Sequence, residues 1–338
     1  MSKVATNRPT MNDVAAAAGV ALKTVSRVVN DEPGVNPATA EKVKVAIEAL
    51  GFRRNDGART LRRGQTASIG VVVRDLADPF YSTLTRAVEE VALTHGFLVF
   101  TGSCDESATR QRELALAFCA RRVDGVVIVP VGDDHFYLQP EIAAGVAAVF
   151  VDRPASNIDA DAVIVDNVGG VRKGIEHLLA HGHRRIGFLG DAPDIFTAAE
   201  RVRGYREALM GAGQPIDPSL VAMASPTPVA IRDALARMLQ RPLPATALFT
   251  GNSRITVAVL RELALQERKP RPALVGFDDF DLADLLTPGV TVIAQDPARI
   301  GRTAAELLFR RMEGRNLESV RRELPTRLIP RGSGETPP

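Results

Sequence analysis

The chain has 338 residues, 45% hydrophobic and 24% charged, long enough to bury more than one core. Its formal charge is only +2, yet residues 1–65 hold eleven Lys/Arg against six Asp/Glu, and a basic excess confined to one end is the footprint of a nucleic-acid-binding head. The composition excludes a disulfide framework (two cysteines, Cys104 and Cys119), a membrane span (no apolar run approaching ~18 residues) and, with the polar start MSKVATNRPT, a secretion signal.

The first element is TMNDVAAAAGVALKTVSRVVNDEPGV, residues 10–35. Thr10 followed by Asp13 makes a capping-box-like start. Val14, Ala17 and Ala18 form a small apolar face, Gly19 breaks the helix, and Val20 packs back inward. A second helix runs from about Leu22 to Asn30, burying Val25, Val28 and Val29 and offering Leu22, Lys23, Ser26, Arg27 and Asn30 outward. Two short helices joined by a glycine turn, the second polar outward, match a DNA-reading helix–turn–helix. Spacing alone also admits an ordinary α-hairpin. Asn36-Pro37 announces a third helix carrying Val43, Ala46, Ile47 and Leu50, which stops at Gly51.

The stretch RRNDGARTLRRG, residues 53–64, is basic with little to bury, so its composition is that of a flexible linker. Leu61, between Arg59 and Arg62-Arg63, has no core to join. Beyond it, short apolar runs alternate with amphipathic stretches. The runs are Ile69–Val73, Leu98–Thr101, Gly125–Val129, Ala148–Val151, Ala162–Val165, Ile186–Leu189, Ala247–Thr250, Ala273–Gly276 and Val290–Ile293. Helical periods such as Thr83–His95, Val168–His181 and Ser253–Gln266 lie between them. Continuous β runs with helical crossovers predict an α/β core of parallel sheets covered on both faces, in a length suited to two lobes.

In open α/β sheets ligands bind beyond the carboxyl ends of strands. The loops there hold Asp78, Phe80 and Tyr81, then Asp152-Arg153, Arg201, Asn252, Asp278 and Gln295-Asp296. A guanidinium fork, an amide and a carboxylate can each bond two oxygens, which suits vicinal hydroxyls. Phe80 and Tyr81 read equally well as core aromatics. No P-loop, dinucleotide fingerprint or nucleophile–base pair is present, so no enzyme and no cofactor is indicated. His177, His181 and His183 lack a placed carboxylate partner and are not read as a metal site. Arg302–Arg322 reads as a basic helix and strand with a solvated face, and GSGETPP (332–338) as a disordered tail.

The segments TMNDVAAAAGVALKTVSRVVN, EKVKVAIEALGF, NDGARTLRRGQTASIGVVV and LPTRLIPRGS resemble the LacI/GalR family of bacterial transcription regulators, over nearly the whole chain. The resemblance implies a helix–turn–helix domain over 1–53, a hinge over 54–66 and an effector-binding, dimerising core over 67–331. That core would have two lobes, as in periplasmic sugar-binding proteins, with crossings near 161, 290 and 320. It further implies a recognition helix in the major groove, with Leu22, Lys23 and Arg27 reading bases and Ser26, Asn30, Asn36 and Thr39 touching phosphates. On DNA the hinge would become a helix capped by Asn55, with Ala58 facing the minor groove and Leu61 wedged into it. Asp78, Phe80, Tyr81, Arg201, Asn252 and Asp278 would grip a small-molecule effector, a carbohydrate or related metabolite. The implied whole is a sequence-specific repressor, a homodimer on palindromic double-stranded operator DNA, cytoplasmic and associated with the nucleoid.

Three positions and one short stretch depart from the family's pattern. Ala21 replaces the usual cap serine, Gly57 replaces a larger apolar residue, Ser253 replaces a common Asp, and Ser225–Pro228 lacks an aromatic on which several relatives stack a ring. Glycine costs about 1 kcal/mol in a helix, so the hinge should order less readily. Gly57→Leu is expected to tighten operator binding in a titration at fixed salt; no gain would count against a hinge helix.

Overall fold

The computed structural model describes residues 9–53, 66–265, 271–314 and 318–338. Asn55, Gly57, Ala58 and Leu61 of the expected hinge lie outside the described residues. The chain falls into two units, Met1–Thr66 and Ala67–Pro338.

In the first unit, α1 (Met11–Ala18), α2 (Leu22–Val29) and α3 (Pro37–Leu50) enclose Val14, Val25, Val43, Ala46 and Phe52. The capping box is formed: Asp13 Oδ2 accepts from the Thr10 N–H at 2.7 Å while the Asp13 N–H donates to the Thr10 hydroxyl. Two expectations are corrected. Ala17 is exposed, and the packed face of α1 is Met11, Val14, Ala15 and Ala18, the set that a 3.6-residue period places together. Leu50 is also exposed, because Gly51 adopts φ +61° and turns the chain back. The Phe52 N–H then donates to the Ile47 carbonyl at 3.0 Å and its ring takes the core position instead.

The second unit holds two six-stranded sheets with the same plan. In the first lobe β1 (Ser68–Val73), β2 (Leu98–Ser103), β3 (Gly125–Ile128), β4 (Ala147–Val151) and β5 (Asp161–Val165) are joined through α4 (Pro79–Thr94), α5 (Ala108–Ala120) and α6 (Gln139–Ala143). The second has β6 (Ile186–Gly190), β7 (Val221–Met223), β8 (Ala247–Thr250), β9 (Ala273–Phe277) and β10 (Thr291–Ala294), with α7 (Asn167–Ala180), α8 (Phe196–Gly211), α9 (Pro228–Leu239) and α10 (Ser253–Leu265). After α11 (Pro297–Met312), β11 (Arg321–Leu324) returns to the first sheet and β12 (Arg327–Ile329) to the second. The orders are β11-β5-β4-β3-β1-β2 and β12-β10-β9-β8-β6-β7. All pairs are parallel except β12 against β10. The central strands are buried along their length, as their unbroken Val/Ile/Phe runs require.

The chain crosses between lobes after β5, between β10 and α11, and between β11 and β12. Each crossing falls a few residues beyond the expected 161, 290 and 320. Those marks lie at or near strand starts, whereas the chain changes lobe only at the carboxyl end.

Two further expectations are overturned. The Arg302–Arg322 region is not merely a solvated face: α11 buries Ile300, Ala304, Ala305, Leu307, Leu308 and Phe309, while Arg302 is exposed. At Gly301 an added Cβ would lie 2.2 Å from the Leu84 carbonyl oxygen, so α11 and α4 pack backbone against backbone. Nor is the tail disordered. The Ser333 hydroxyl donates to the Leu274 carbonyl at 2.6 Å, and Glu335 accepts from the Thr291 hydroxyl at 2.9 Å and touches His177. His183 Nε2 donates to the Thr336 carbonyl at 2.8 Å. Polar, proline-ended composition hid these partners, which lie far away in sequence. Each such bond contributes about 1 kcal/mol. Deleting residues 333–338 should therefore lower the melting temperature by roughly 5 °C or more; an unchanged melt would remove the tail from the fold.

Candidate functional site

On the head, the outward side of α2 carries the expected side chains. Leu22 is 47% exposed and Lys23 is exposed, while Ser26, Arg27 and Asn30 are half-buried. Asn30 Nδ2 donates to the Ser26 hydroxyl at 3.3 Å, one turn back, which fixes both. Asn36 caps α3, its Oδ1 accepting from the Ala38 N–H at 2.9 Å, and Thr39 follows on the first turn. No side chain caps α2 at Ala21, in keeping with the missing serine.

The second unit has a cleft between the carboxyl ends of its two sheets, with about 570 Å³ free of protein atoms counting its mouth. Asp78, Phe80, Tyr81, Arg201, Asn252 and Asp278, all named from the sequence, line it together. Asp152, Arg153 and Gln295 join them from the loops noted there. Arg74 and Asp191, each directly after a lobe's first strand, were missed. Their only sequence signal is a lone charge at a strand end.

Local bonds hold each group in place. Asp78 caps α4, accepting from the Phe80 N–H at 3.0 Å, which seats Phe80 and Tyr81 on the first turn with their rings edge to face at 4.9 Å. Tyr81 belongs both to the cleft and to the core of the first lobe, so the two readings of it are not exclusive. Arg201 lies over the Phe277 ring at 3.8 Å. Its Nε donates to Asn167 Oδ1 at 2.8 Å and its Nη1 to the Gly251 carbonyl at 2.6 Å. Asn252 Oδ1 accepts from the Ile255 N–H at 2.9 Å, capping α10. Asp152 and Asp278, at matching strand ends, share a left-handed backbone (φ 67° and 70°), and Gln295 donates to Asp278 at 2.5 Å.

The electrostatics are unusual for so many paired charges. Burial pushes Asp78, Asp152 and Asp278 above the ordinary carboxylate pKa; Arg74, Arg153 and Arg201 only partly offset it, and neighbouring carboxylates add to it. Glu106 goes the other way. Burial opposes its charge, but a two-pronged contact with Arg153 (2.6 and 2.9 Å) and the nearby Arg74 lower its pKa. Two buried atoms of the cleft, Arg153 Nε and Gln295 Oε1, have no hydrogen-bond partner among the described residues. The cleft thus combines raised carboxyls, an amide oxygen without a hydrogen bond and an Arg153 Nε–H whose nearest acceptor is Asp152 at 3.6 Å, groups that a hydroxyl-rich molecule can satisfy.

The histidines are otherwise engaged. His177 meets Glu335, His181 Nδ1 bonds the His177 carbonyl at 2.8 Å, and His183 holds Thr246 and the tail. Among the described residues, no group of His, Cys, Asp or Glu could hold a metal ion, and no helix is long and apolar enough to cross a membrane.

A raised carboxyl pKa has a defined sign. The folded state binds the extra proton, so the contribution of Asp278 to stability falls as pH rises through its folded pKa. Asp278→Asn should leave the neutral-pH melting temperature unchanged or higher and flatten its decline with pH. A clear loss at neutral pH would mean that pairing with Arg201 outweighs burial.

Comparison with known proteins places the chain in a family. Residues 10–55 match the profile described as bacterial regulatory proteins, lacI family, and residues 175–334 match the periplasmic binding protein-like domain. The chain is 36% identical over 336 residues to the HTH-type transcriptional regulator CelR of Thermobifida fusca, covering 97% of this chain and 98% of that protein. It is 30% identical over 333 residues to the HTH-type transcriptional repressor CytR of Escherichia coli K12, covering 96% of each. Among solved structures, a CelR–cellobiose complex aligns with TM-score 0.71 at 33% identity, over 96% of this chain and 100% of that one. The lac repressor dimer bound to operator and the anti-inducer ONPF aligns with TM-score 0.84 at 27% identity, over 98% and 100%. With a DNA-reading head, a two-lobed core and relatives matched end to end, the chain belongs to the LacI family of bacterial regulatory proteins and is a transcription regulator rather than an enzyme.

Proposed function

We propose that this regulator is a repressor that binds a palindromic operator as a homodimer, in the cytoplasm on the nucleoid, under control of a carbohydrate-like effector held in the cleft. The observation that carries the reading is the convergence of Arg201, Asn252, Asp278, Asp78, Phe80 and Tyr81 in one polar cleft, where Arg153 Nε and Gln295 Oε1 are buried without a hydrogen bond among the described residues. A solved relative is a complex with cellobiose and another is a dimer on its operator, which supports both halves of the proposal.

On DNA, α2 lies in the major groove. Arg27 forks onto guanine O6 and N7, Lys23 donates beside it, and Leu22 makes the apolar contact. Ser26, Asn30, Asn36 and Thr39 contact phosphates and set register. Residues 54–66 act as the hinge, with Asn55 as cap, Ala58 toward the minor groove and Leu61 as the wedge. The second copy of the chain docks along β2, an edge strand whose Leu98 and Phe100 are 66% and 42% exposed. The effector acts by binding the lobe arrangements unequally, since equal affinity for both would regulate nothing.

Arg27→Ala should weaken one operator base preference by about 1–3 kcal/mol and relax specificity there. Equal weakening on every sequence would make Arg27 a phosphate contact instead. Arg201→Ala should abolish the response to a panel of sugars in an operator-release assay while leaving DNA affinity intact. Identical response curves would take Arg201 out of the effector site.

A further inference from the structure

The shared strand order makes positions in the two lobes correspond, β1 with β6 and β4 with β9. Arg74 follows β1 and Asp191 follows β6, so they hold equivalent places in opposite lobes. Their charged groups meet across the cleft at 3.5 Å, with the side chains only 10% and 9% exposed. Each is steadied within its own lobe. Arg74 also lies 3.5 Å from Glu106, which Arg153 grips at 2.6 Å. Asp191 Oδ2 accepts from Asn252 Nδ2 at 3.4 Å, and Asn252 is itself fixed as the cap of α10.

Arg74 and Asp191, with Arg153, Ile195 and Arg254, line both the inner chamber and a wider vestibule, whose lining adds Asp133 and Ser156 of the first lobe and Asp194, Ser225 and Thr227 of the second. The pair thus contributes to a bar between the two spaces. Arg153–Glu106 and Arg201–Asp278 each join groups of a single lobe and are kept whatever the lobes do. Arg74–Asp191 exists only when the lobes are together.

We propose that Arg74 and Asp191 form an inter-lobe clasp that weights the core toward its closed arrangement through the protein's own charges. Closure is then partly favoured in advance, and the effector adjusts an existing equilibrium instead of creating one. The clasp biases rather than locks, because opening rehydrates both groups and returns much of the attraction lost. It also stands in the effector's way, since a molecule reaching Asp278 and Arg201 from the vestibule has to pass this bar.

The test uses the full-length chain with Asp133→Cys and Ser225→Cys, exposed positions on opposite sides of the vestibule; the native Cys104 and Cys119 are buried. Spin labels there, diluted with unlabelled protein, report the lobe separation by electron–electron resonance in sugar-free buffer. Arg74→Gln and Asp191→Asn should each raise the open-to-closed ratio by roughly tenfold. The double variant should match the singles, because each group acts through the other. If Arg74→Gln does not fold, the nearly isosteric Asp191→Asn decides alone. Unshifted distances in the single variants, or single effects that simply add in the double, would overturn the clasp. The measurement needs no identified effector and no DNA, so its failure leaves the proposed function standing.

Discussion

Parallel strands have one direction, and in this core that direction gathers many of the cleft groups at one level. Arg74, Asp152, Asp191, Asn252, Asp278 and Gln295 each sit just past the end of a strand. The three crossings leave from the same ends. The joint between the lobes and much of the site are therefore built from a single layer of loops, to which helices add Phe80, Tyr81 and Arg201. A displacement of one lobe has to move half of the binding groups relative to the other half.

That layer carries a concentration of charge that water would ordinarily disperse. Burial pushes three of its carboxyls up in pKa, while Glu106, fully engaged by arginine, goes down. The difference lies in partners. Glu106 receives two prongs from Arg153, whereas Asp278 stands 3.8 Å from Arg201, whose nitrogens are bonded to Asn167 and Gly251. Arginines committed to backbone and amide partners give rigid walls; carboxylates left wanting give a surface that selects hydroxyl donors. Neutral polyols can meet such a demand without bringing a charge of their own.

Much of this was legible in the chain. The head followed from the cap at Thr10, the turn at Gly19 and the polar face of α2, and the resemblance to known regulators reached the six cleft residues through their places at strand ends. What escaped depends on partners distant in sequence. Arg74 and Asp191 matter because two lobes repeat one plan, which no local pattern reveals. The tail was misjudged because Ser333 and Glu335 find their partners at Leu274, Thr291 and His177. Phe52 displaced Leu50 through the backbone of one glycine. β11 was expected as a strand but not given its place in a sheet, because Arg321, Arg322 and Glu323 are exposed on an edge and the strand carries no apolar run.

The contact of Gly301 with Leu84 reaches further than packing. α4 starts in the cleft with Asp78, Phe80 and Tyr81, and α11 starts two residues beyond Gln295. Their backbones touch near the cleft, and at the far end His95 and Phe309 stack with ring centres 3.9 Å apart. Sixteen residues of helix span about 24 Å. Fastened at both ends, the two rods resist sliding past each other, so the cleft and the opposite pole of the lobe are coupled as by a strut instead of a spring.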